Sequence, residues 1–498
     1  MSTLSELLPS GGGGGSTVDF VASGTLPNGK PVILKANGQV EVVGEASVSE
    51  SIPAGSEAVF NSGNTSYIFI AFDPSTADKF VVVYRDTSNS SYGTAIVGTV
   101  SGTTLSFGSE VVFNSVVVEY TQIAFDPNTA GKFVITYMNQ NNSNYGEAIV
   151  GTLSGTTLSF GTAVVFNSAY SLDIKIAFDP STAGKFVVVC RDNGNSNYGE
   201  AIAGTVSGTS ISFGSMVVFN TGSTNHISVA FDPSTAGKFV VAYRNMGNSN
   251  NGTAIVGTLS GTSISFTNPS VFNAGNSRFT SIAFDPNTAG KFVVAYTDNG
   301  NSGYGTAVVG NVAATNISFG SEIVFNTASV GYNSIFFNPN TANQFVLAYT
   351  DEGNSYYGTV KVGTVSGTSI SFGSGNVFNA GSTQFISVSL DPNTDGKFVV
   401  AYKDEANSDY GAAIVGQLSA SLTNLTSTNF VGTSTKAYTN GQTATIAVQG
   451  GLSTNQTGLT IGSTYFVQPA GTLATTAGTP SVNAGKALSA TTLLLKDL

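Results

Sequence analysis

The chain has 498 residues, of which 18 are Lys or Arg and 29 are Asp or Glu, giving a formal net charge of −11. This acidic balance, the absence of a basic block and the lack of any apolar run of about 20 residues argue against a nucleic-acid partner and against membrane insertion. The single cysteine permits no internal disulfide, and abundant Gly, Ser, Thr, Asn, Val and Phe favour strands and turns, which predicts an all-β protein.

The N-terminal part of the chain divides into two segments. Residues 1–15 combine a short leucine cluster with a run of five glycines, which we interpret as an apolar segment and a flexible tether. They have neither the positive flank nor the apolar core of a secretory signal, so we expect synthesis in the cytoplasm without Sec export. Residues 16–55 contain the strand-like runs VILK and VEVV around an Asn37-Gly38 turn, which predicts a β hairpin that serves as an attachment element.

Residues 56–428 repeat one phrase with a fixed period of 53 residues. The Asp-Pro dipeptide, which is Asn-Pro in one copy, begins at Asp73, Asp126, Asp179, Asp232, Asp285, Asn338 and Asp391. The phenylalanine of a VFN-like triplet keeps the same spacing at Phe60, Phe113, Phe166, Phe219, Phe272, Phe325 and Phe378. A fixed period without insertions indicates a supersecondary unit whose exposed core face is covered by the neighbouring unit.

The fourth copy shows how one unit is built. Strands are predicted at 226–232, 238–244 and 252–260 and in the following SISF, separated by turn sequences rich in Gly, Pro, Asn and Ser. Apolar residues occupy both faces of the second strand, so both faces should be buried. Four antiparallel strands per 53 residues, repeated seven times, predict a seven-bladed β-propeller; a parallel β-helix is the alternative.

The ends of the repeat leave ring closure open. Either SEAVFN at 56–61 completes the last blade, or LTNLTSTNFVG at 422–432 does so. Residues 429–498 change to a composition rich in Thr, Ala and Gly, which predicts a C-terminal β domain. Because the ends of a closed ring lie near each other, we expect the N- and C-terminal segments to form one additional small β domain into which the propeller is inserted.

Three stretches together resemble virion structural proteins of tailed bacteriophages, particularly marine ones. They are the opening LSELLPSGGGGG, the recurring phrase typified by RDNGNSNYG, and the tail GLTIGSTYFVQPAGTLATTAGTPSVNAGKALSATTLLLKDL, so the resemblance covers nearly the whole chain. The resemblance implies a structural protein of the virion and does not indicate which part of the particle. Because the repeats are nearly identical and a glycine tether and unlike ends flank them, we expect a non-enzymatic tail fibre or surface appendage subunit, present in several copies. The terminal β region would bind other virion proteins, and the propeller would contact host surface glycans.

The sequence leaves two alternatives to a tail fibre or surface appendage subunit. The first is a purely architectural tail or capsid-decoration component with no host ligand. The second is a glycan-degrading enzyme built on the propeller. The resemblance brings no catalytic, metal-binding or cofactor-binding residues, and we assign none.

The turn RDNGNSNYG raises the possibility of a repeated calcium loop. Its acidic position is Asp86, Asp192, Asp298, Asp351 or Asp404, but Asn139 and Asn245 replace the aspartate in two copies. One formal charge per loop is few for a calcium site, whereas Asp and Asn side chains commonly cap the backbone of their own turn. We therefore interpret this segment as a structural turn.

Several chemically distinctive residues occupy repeated positions. Arg85, Arg191 and Arg244 share one position at the end of the second strand, which predicts a solvent-facing or rim location, with a converging anion clamp as the alternative. His226 stands where other copies have Tyr67, Tyr120, Asp173, Phe279, Tyr332 or Phe385, and Cys190 stands where other copies have tyrosine. Both are predicted to pack rather than to catalyse.

A lysine near the Asp-Pro turn recurs in six copies, at Lys79, Lys132, Lys185, Lys238, Lys291 and Lys397. Ring symmetry would place these six lysines around one face of the propeller. We expect each to pair with the aspartate of its own turn, a charged docking face being the alternative.

Overall fold

The computed structural model describes residues 17–35, 37–48, 50–418, 420–478 and 480–496. The chain forms two compact units, one made of 1–48 with 420–498 and the other of 49–419. The predicted apolar segment and glycine tether lie outside the described residues. The propeller was predicted over 56–428; the repeat unit begins earlier, because Ser51 and Ala54 already hydrogen-bond to the third strand of the last blade.

The larger unit is an all-β propeller whose antiparallel strands follow the copies of the repeat and are connected into one 13-stranded and one 16-stranded sheet. The second strands of the blades are Lys79–Asp86, Lys132–Asn139, Lys185–Asp192, Lys238–Asn245, Lys291–Asp298, Gln344–Asp351 and Lys397–Asp404. The third strands are Tyr92–Ser101, Tyr145–Ser154, Tyr198–Ser207, Asn251–Ser260, Tyr304–Ala313, Tyr357–Ser366 and Tyr410–Gln417. Short outer strands follow at Thr104–Phe107, Thr157–Phe160, Ser210–Phe213, Ser263–Phe266, Asn316–Phe319 and Ser369–Phe372.

The remaining propeller strands connect one blade to the next. They are Ala58–Asn61, Thr65–Phe72, Val111–Phe125, Val164–Phe178, Val217–Asn220, Thr224–Phe231, Ser270–Phe284, Ile323–Phe337 and Asn376–Leu390. In Val111–Phe125, for example, the first half pairs with the third strand of one blade and the second half pairs with the second strand of the following blade. We call these second halves the inner strands: 65–72, 118–125, 171–178, 224–231, 277–284, 330–337 and 383–390.

The ring is closed by an N-terminal strand. Ala58–Asn61 pairs with the third strand of the last blade, with Asn61 opposite Gly411 and Ala58 opposite Ala413. The inner strand of the last blade then contacts the inner strand of the first. The SEAVFN closure is thus confirmed, and the alternative is wrong, because Ala420–Thr423 pairs with Glu45–Val48 in the other unit.

Paired glycines and phenylalanines explain how the blades stack closely. In each blade a phenylalanine of the second strand lies opposite a glycine of the third, as Phe186 does opposite Gly204. A Cβ atom on that glycine would overlap the phenylalanine ring. The glycines concerned are Gly98, Gly151, Gly204, Gly257, Gly310, Gly363 and Gly416. The predicted burial of both faces of the second strand is confirmed, since Phe239, Val240 and Val241 are fully buried.

The Asp-Pro turns link neighbouring blades. One carboxylate oxygen of Asp126 accepts a hydrogen bond from the N–H of Asn128 in its own turn, at 3.0 Å. Its other oxygen accepts from the N–H of Gly184 in the next blade, at 2.8 Å. Asp391 links the last blade to the first in the same way, accepting from the N–H of Asp78 at 2.9 Å. At Asp126, Asp285 and Asp391 the repeated aspartate therefore fastens both its own turn and the neighbouring blade.

The second unit is formed from both ends of the chain. Its strands are Thr17–Val21, Pro31–Leu34, Val40–Val42, Glu45–Val48, Ala420–Thr423, Phe430–Ser434, Thr443–Ala447, Leu452–Ser453, Thr464–Val467, Leu473–Ala474, Val482–Ala487 and Leu493–Leu495. They form two five-stranded sheets and one two-stranded sheet. In the first sheet the N-terminal strand Thr17–Val21 pairs with Thr443–Ala447, so neither end builds this sheet alone.

Candidate functional site

The axis of the propeller is surrounded by a collar of aromatic side chains. We define the collar as Tyr67, Tyr120, Asp173, His226, Phe279, Tyr332 and Phe385, one residue from each inner strand. Six of them are rings, and their neighbouring centroids are 5.0 to 5.4 Å apart in an arc from Tyr120 to His226. Asp173 occupies the gap between the two ends of that arc. The residues at this repeated position, which the sequence predicts to pack, thus meet around the axis of the propeller.

A bulge in every inner strand produces the collar. Each collar residue has a positive φ, between 48° and 52°, which is unusual for residues with a side chain. The pairing register shifts at the same place, between Asn225 and Ser228 in the fourth blade, for example. Bulges redirect side chains away from the regular strand face. The collar is held between blades by hydrogen bonds, such as that from the Thr280 hydroxyl to the His226 carbonyl.

Beside the collar the inner strands enclose an axial channel with a volume of about 780 Å³, which extends to the prolines of the Asp-Pro turns. In four blades the inner-strand residue two positions after the collar is serine: Ser228, Ser281 and Ser334, which line the channel, and Ser387. Each of these hydroxyls accepts a hydrogen bond from a backbone N–H of the next inner strand, at 3.0 to 3.2 Å. The serine hydroxyl thus provides an acceptor for a backbone N–H on the edge of an inner strand, where no further strand pairs with it.

The first three blades depart from this pattern. Phe69, Gln122 and Lys175 replace the serine, and Lys175 places its ammonium group 5.4 Å from the centre of the Phe69 ring. Lys175 is partly buried at the channel wall, and desolvation lowers its pKa to about 8, with Asp173 opposing the shift. The channel therefore has one side lined by Phe69, Gln122 and Lys175 and another side lined by serine.

Asp173 forms an ion pair with Arg191, with 3.7 Å between the carboxylate Oδ2 and the guanidinium Nε. Burial raises the pKa of Asp173, and Arg191 and then Lys175 oppose that shift.

For His226, burial and then the positive charges of Arg278 and Arg244 lower the pKa to about 3, so the imidazole is neutral at physiological pH. Its predicted packing role is confirmed by the contact with Phe279. Cys190 is also buried, as predicted, and burial raises the pKa of its thiol.

The three arginines are partly exposed, and Arg85 lies beside the collar, with its guanidinium group 4.9 Å from the centre of the Tyr67 ring. They do not converge as a clamp: Arg85 pairs with Glu119 at 3.1 Å, while Arg191 pairs with Asp173. Arg244 donates a hydrogen bond to Asn250 at 2.8 Å. Near the axis, the cations of this repeated position thus have different partners.

The prediction that each repeated lysine pairs with the aspartate of its own turn is wrong. Lys79, Lys132 and Lys185 donate to threonine hydroxyls of the adjacent third strand, at 2.6 to 2.8 Å, rather than to the aspartates of their own turns. Those aspartates are engaged by backbone N–H groups. Lys397 forms an ion pair across blades, with Asp78 at 3.7 Å.

The RDNGNSNYG segment behaves as a structural turn, capped by its first Asp or Asn side chain in copies such as those of Asn139 and Asp192, whereas Asp351 forms no cap hydrogen bond. Asp192 accepts hydrogen bonds from the N–H groups of Gly194 and Asn195, at 2.7 and 3.2 Å. Short 3₁₀ turns occupy this segment at Asn193–Asn195, Asn299–Asn301, Glu352–Asn354 and Glu405–Asn407. Among residues 17–496, outside the undescribed positions, no group of three or more His, Cys, Asp and Glu side chains is arranged to hold a metal ion. Over the same residues, no helix is long and apolar enough to cross a bilayer.

Replacing Lys175 by serine should stabilise the protein by roughly 2 kcal/mol at pH 7. The change removes a desolvated ammonium group and restores the hydroxyl that four other blades use. Because the folded-state pKa of Lys175 is lowered to about 8, the cost of this lysine is full below pH 8 and disappears as the pH approaches its unfolded value.

This prediction is checked by urea unfolding of the wild type, Lys175→Ser and Lys175→Met between pH 6 and pH 10. The methionine variant removes the charge without supplying an acceptor, and so separates the two contributions. A gain from either substitution that does not shrink above pH 8 would contradict the electrostatic explanation.

No family model matches the chain, and no curated protein matches it. Among solved structures, it is similar to the BP39L lectin from Burkholderia pseudomallei, with a TM-score of 0.53 at 8% identity over 74% of this chain and 99% of the lectin. Saccharomyces cerevisiae Sqt1 matches with a TM-score of 0.46 at 9% identity, over 74% of this chain and 99% of Sqt1. The NanB sialidase of Streptococcus pneumoniae matches with a TM-score of 0.43 at 11% identity, over 72% of this chain and 70% of the sialidase. At these identities the similarity to the lectin concerns the propeller fold alone.

Proposed function

We propose that the protein is a non-enzymatic structural protein of a bacteriophage virion, a tail fibre or surface appendage subunit that displays its propeller for contact with host surface glycans. In this proposal the terminal unit binds other virion proteins, and the particle carries several copies. The chain is made in the host cytoplasm and resides in the virion.

The observation that carries the proposal is the division between a repetitive unit and a non-repetitive one. The propeller is inserted into the terminal unit, and the chain enters and leaves it through that unit at residues 48–49 and 419–420. Such a connection suits a display module attached through a separate body. The phage resemblance of the terminal segments agrees with an attachment role for that body.

The near-equal blades support a binding mechanism based on many weak contacts. In each copy of the repeat, a valine of the strand segment that pairs with the third strand of a blade is about 40% exposed: Val59, Val112, Val165, Val218, Val271, Val324 and Val377. Seven equivalent surfaces, multiplied by the copies in a particle, raise the overall affinity through effective concentration. The BP39L protein is called a lectin, and it has the same fold, which is compatible with glycan contact on this scaffold.

Two measurements test the proposal. Mass spectrometry of purified particles should detect the chain, and labelled full-length protein should bind host cells and be displaced by host surface polysaccharide. Absence from particles would reject the virion assignment. Presence in particles without cell or glycan binding would favour the architectural alternative, and shortening of the polysaccharide would favour an enzyme.

A further inference from the structure

One pair of cations near the collar lacks the partners that equivalent cations have. At the repeated position ending the second strand, Arg85 pairs with Glu119, Arg191 pairs with Asp173, and Lys403 pairs with Asp409 at 2.9 Å. Arg244 occupies the same position in the fourth blade, and among the described residues it forms no ion pair. Neither does Arg278, which belongs to the inner strand of the fifth blade.

The sequence around this pair is depleted of acid. Residues 233–284 contain no Asp or Glu, although the whole chain carries 29 acidic residues. In the fourth blade the second-to-third-strand turn has Asn245 where five copies have aspartate. The missing counter-charge is therefore a property of the whole blade and its junction with the fifth, rather than of one side-chain position.

The two arginines lie near the part of the collar where His226 and Phe279 are neighbours. Arg244 is opposite Asn225 in the strand ladder, next to His226. The His226 ring is 5.0 Å from the Phe279 ring, and the Arg278 guanidinium carbon is 5.2 Å from the centre of Phe279. The fourth and fifth blades thus present two guanidinium groups beside two aromatic rings.

Arg244 also retains unused donor capacity. One of its terminal nitrogens donates to Asn250, whereas its buried Nε has no hydrogen-bond partner among the described residues. A buried donor left without a partner is costly, and so is the approach of like charges. Burial and then the charge of Arg278 lower the pKa of Arg244, in agreement with this mutual repulsion. A bound anion would relieve both costs.

We propose that Arg244 and Arg278, together with the adjacent His226 and Phe279 rings, form a binding site for the carboxylate of an acidic sugar. The planar guanidinium groups supply the paired N–H donors that suit a carboxylate. The rings provide an apolar surface for the C–H face of the sugar, as aromatic side chains do in small-ligand sites. The sugar chemistry rests on the proposed glycan contact; the anion site itself rests on the unpaired arginines.

Calorimetric titration of the full-length protein with sodium glucuronate tests the site. We expect saturable binding, weakened at least about tenfold by Arg244→Gln or by Arg278→Gln, because each removes charge-assisted hydrogen bonds. Arg85→Gln is the matched control, since Arg85 has the same repeated position but already pairs with Glu119. Its affinity for glucuronate should equal that of the wild type. Thermal unfolding of each variant establishes that it is folded.

Methyl glucoside and sodium sulfate distinguish the parts of the proposal. Methyl glucoside should bind at least about tenfold more weakly than glucuronate, because it lacks the carboxylate. Equal binding of sulfate and glucuronate would overturn the acidic-sugar assignment, and so would no glucuronate binding at millimolar concentration. An equal loss in Arg85→Gln would overturn the location. Failure of virion or host-cell binding alone would reject the proposed function while leaving these titrations able to establish the site.

Discussion

Replacing Phe60 by alanine is expected to lower the free energy of unfolding of the propeller by about 3 to 5 kcal/mol. Phe60 is buried and belongs to the strand that closes the ring, which it does without a covalent connection to the last blade. Its ring covers Gly411 of that blade and lies 5.2 Å from the ring of Tyr84 in the first blade. The substitution therefore weakens the contact that joins the first and last blades.

Urea unfolding followed by tyrosine fluorescence would measure this loss. Val59→Ala is the matched control, because Val59 is in the same strand but 41% exposed, and should change stability by less than about 0.5 kcal/mol. Phe113→Ala is a second comparison. It removes the equivalent ring from Val111–Phe125, a strand that continues covalently into the next blade. If Phe60→Ala were as stable as Val59→Ala, closure by this strand would not hold the ring together.

Introducing valine at Gly310 is expected to destabilise the protein by about 3 kcal/mol, the upper part of the range for overpacking a core. Gly310 lies opposite Phe292 in the strand ladder, and a Cβ atom there would overlap that ring. Phe292 is fully buried and has a ring neighbour in Phe319 at 6.1 Å, so it has little room to move. Glycine is required here by close approach rather than by backbone conformation.

A double-mutant cycle identifies the cause. Gly310→Val should cost much less in a Phe292→Ala background, where the removed ring leaves space for the new side chain. Gly373→Ala is the control, since the nearest atom to a Cβ at that glycine is 3.7 Å away. Equal costs of Gly310→Val in both backgrounds would show that steric overlap with Phe292 is not responsible.

The repeat made much of the fold predictable. Turn residues at fixed offsets and apolar alternation placed the strands of the fourth copy within a few residues of Thr224–Phe231, Lys238–Asn245 and Asn251–Ser260. A blade is a local structure, so its strands follow from short-range pattern. Ring closure did not follow in that way, because two segments carried similar strand signals and the choice depended on pairing across most of the chain.

The candidate site was only partly predictable. The repeat alignment placed His226, Asp173 and the five other collar residues at one equivalent position, and ring symmetry implies that such positions meet around an axis. It did not indicate which end of the strand faces the channel. The replacement of serine by Lys175 was not predicted, although the aligned copies have serine at this position in four blades.

Amino-acid order fixes the blades, the period and the identity of each repeated position, because these depend on alternation, turn chemistry and spacing along one short segment. Which side chains of different blades come into contact depends on the bulge in each inner strand, because the bulge turns the collar residue out of the regular strand face. Arg191 therefore meets Asp173, whereas Arg244, at the same repeated position, has no acidic partner among the described residues and lies near Arg278 and the collar ring of His226. Only the folded ring determines which charges are neutralised, since it brings together residues that are tens of positions apart.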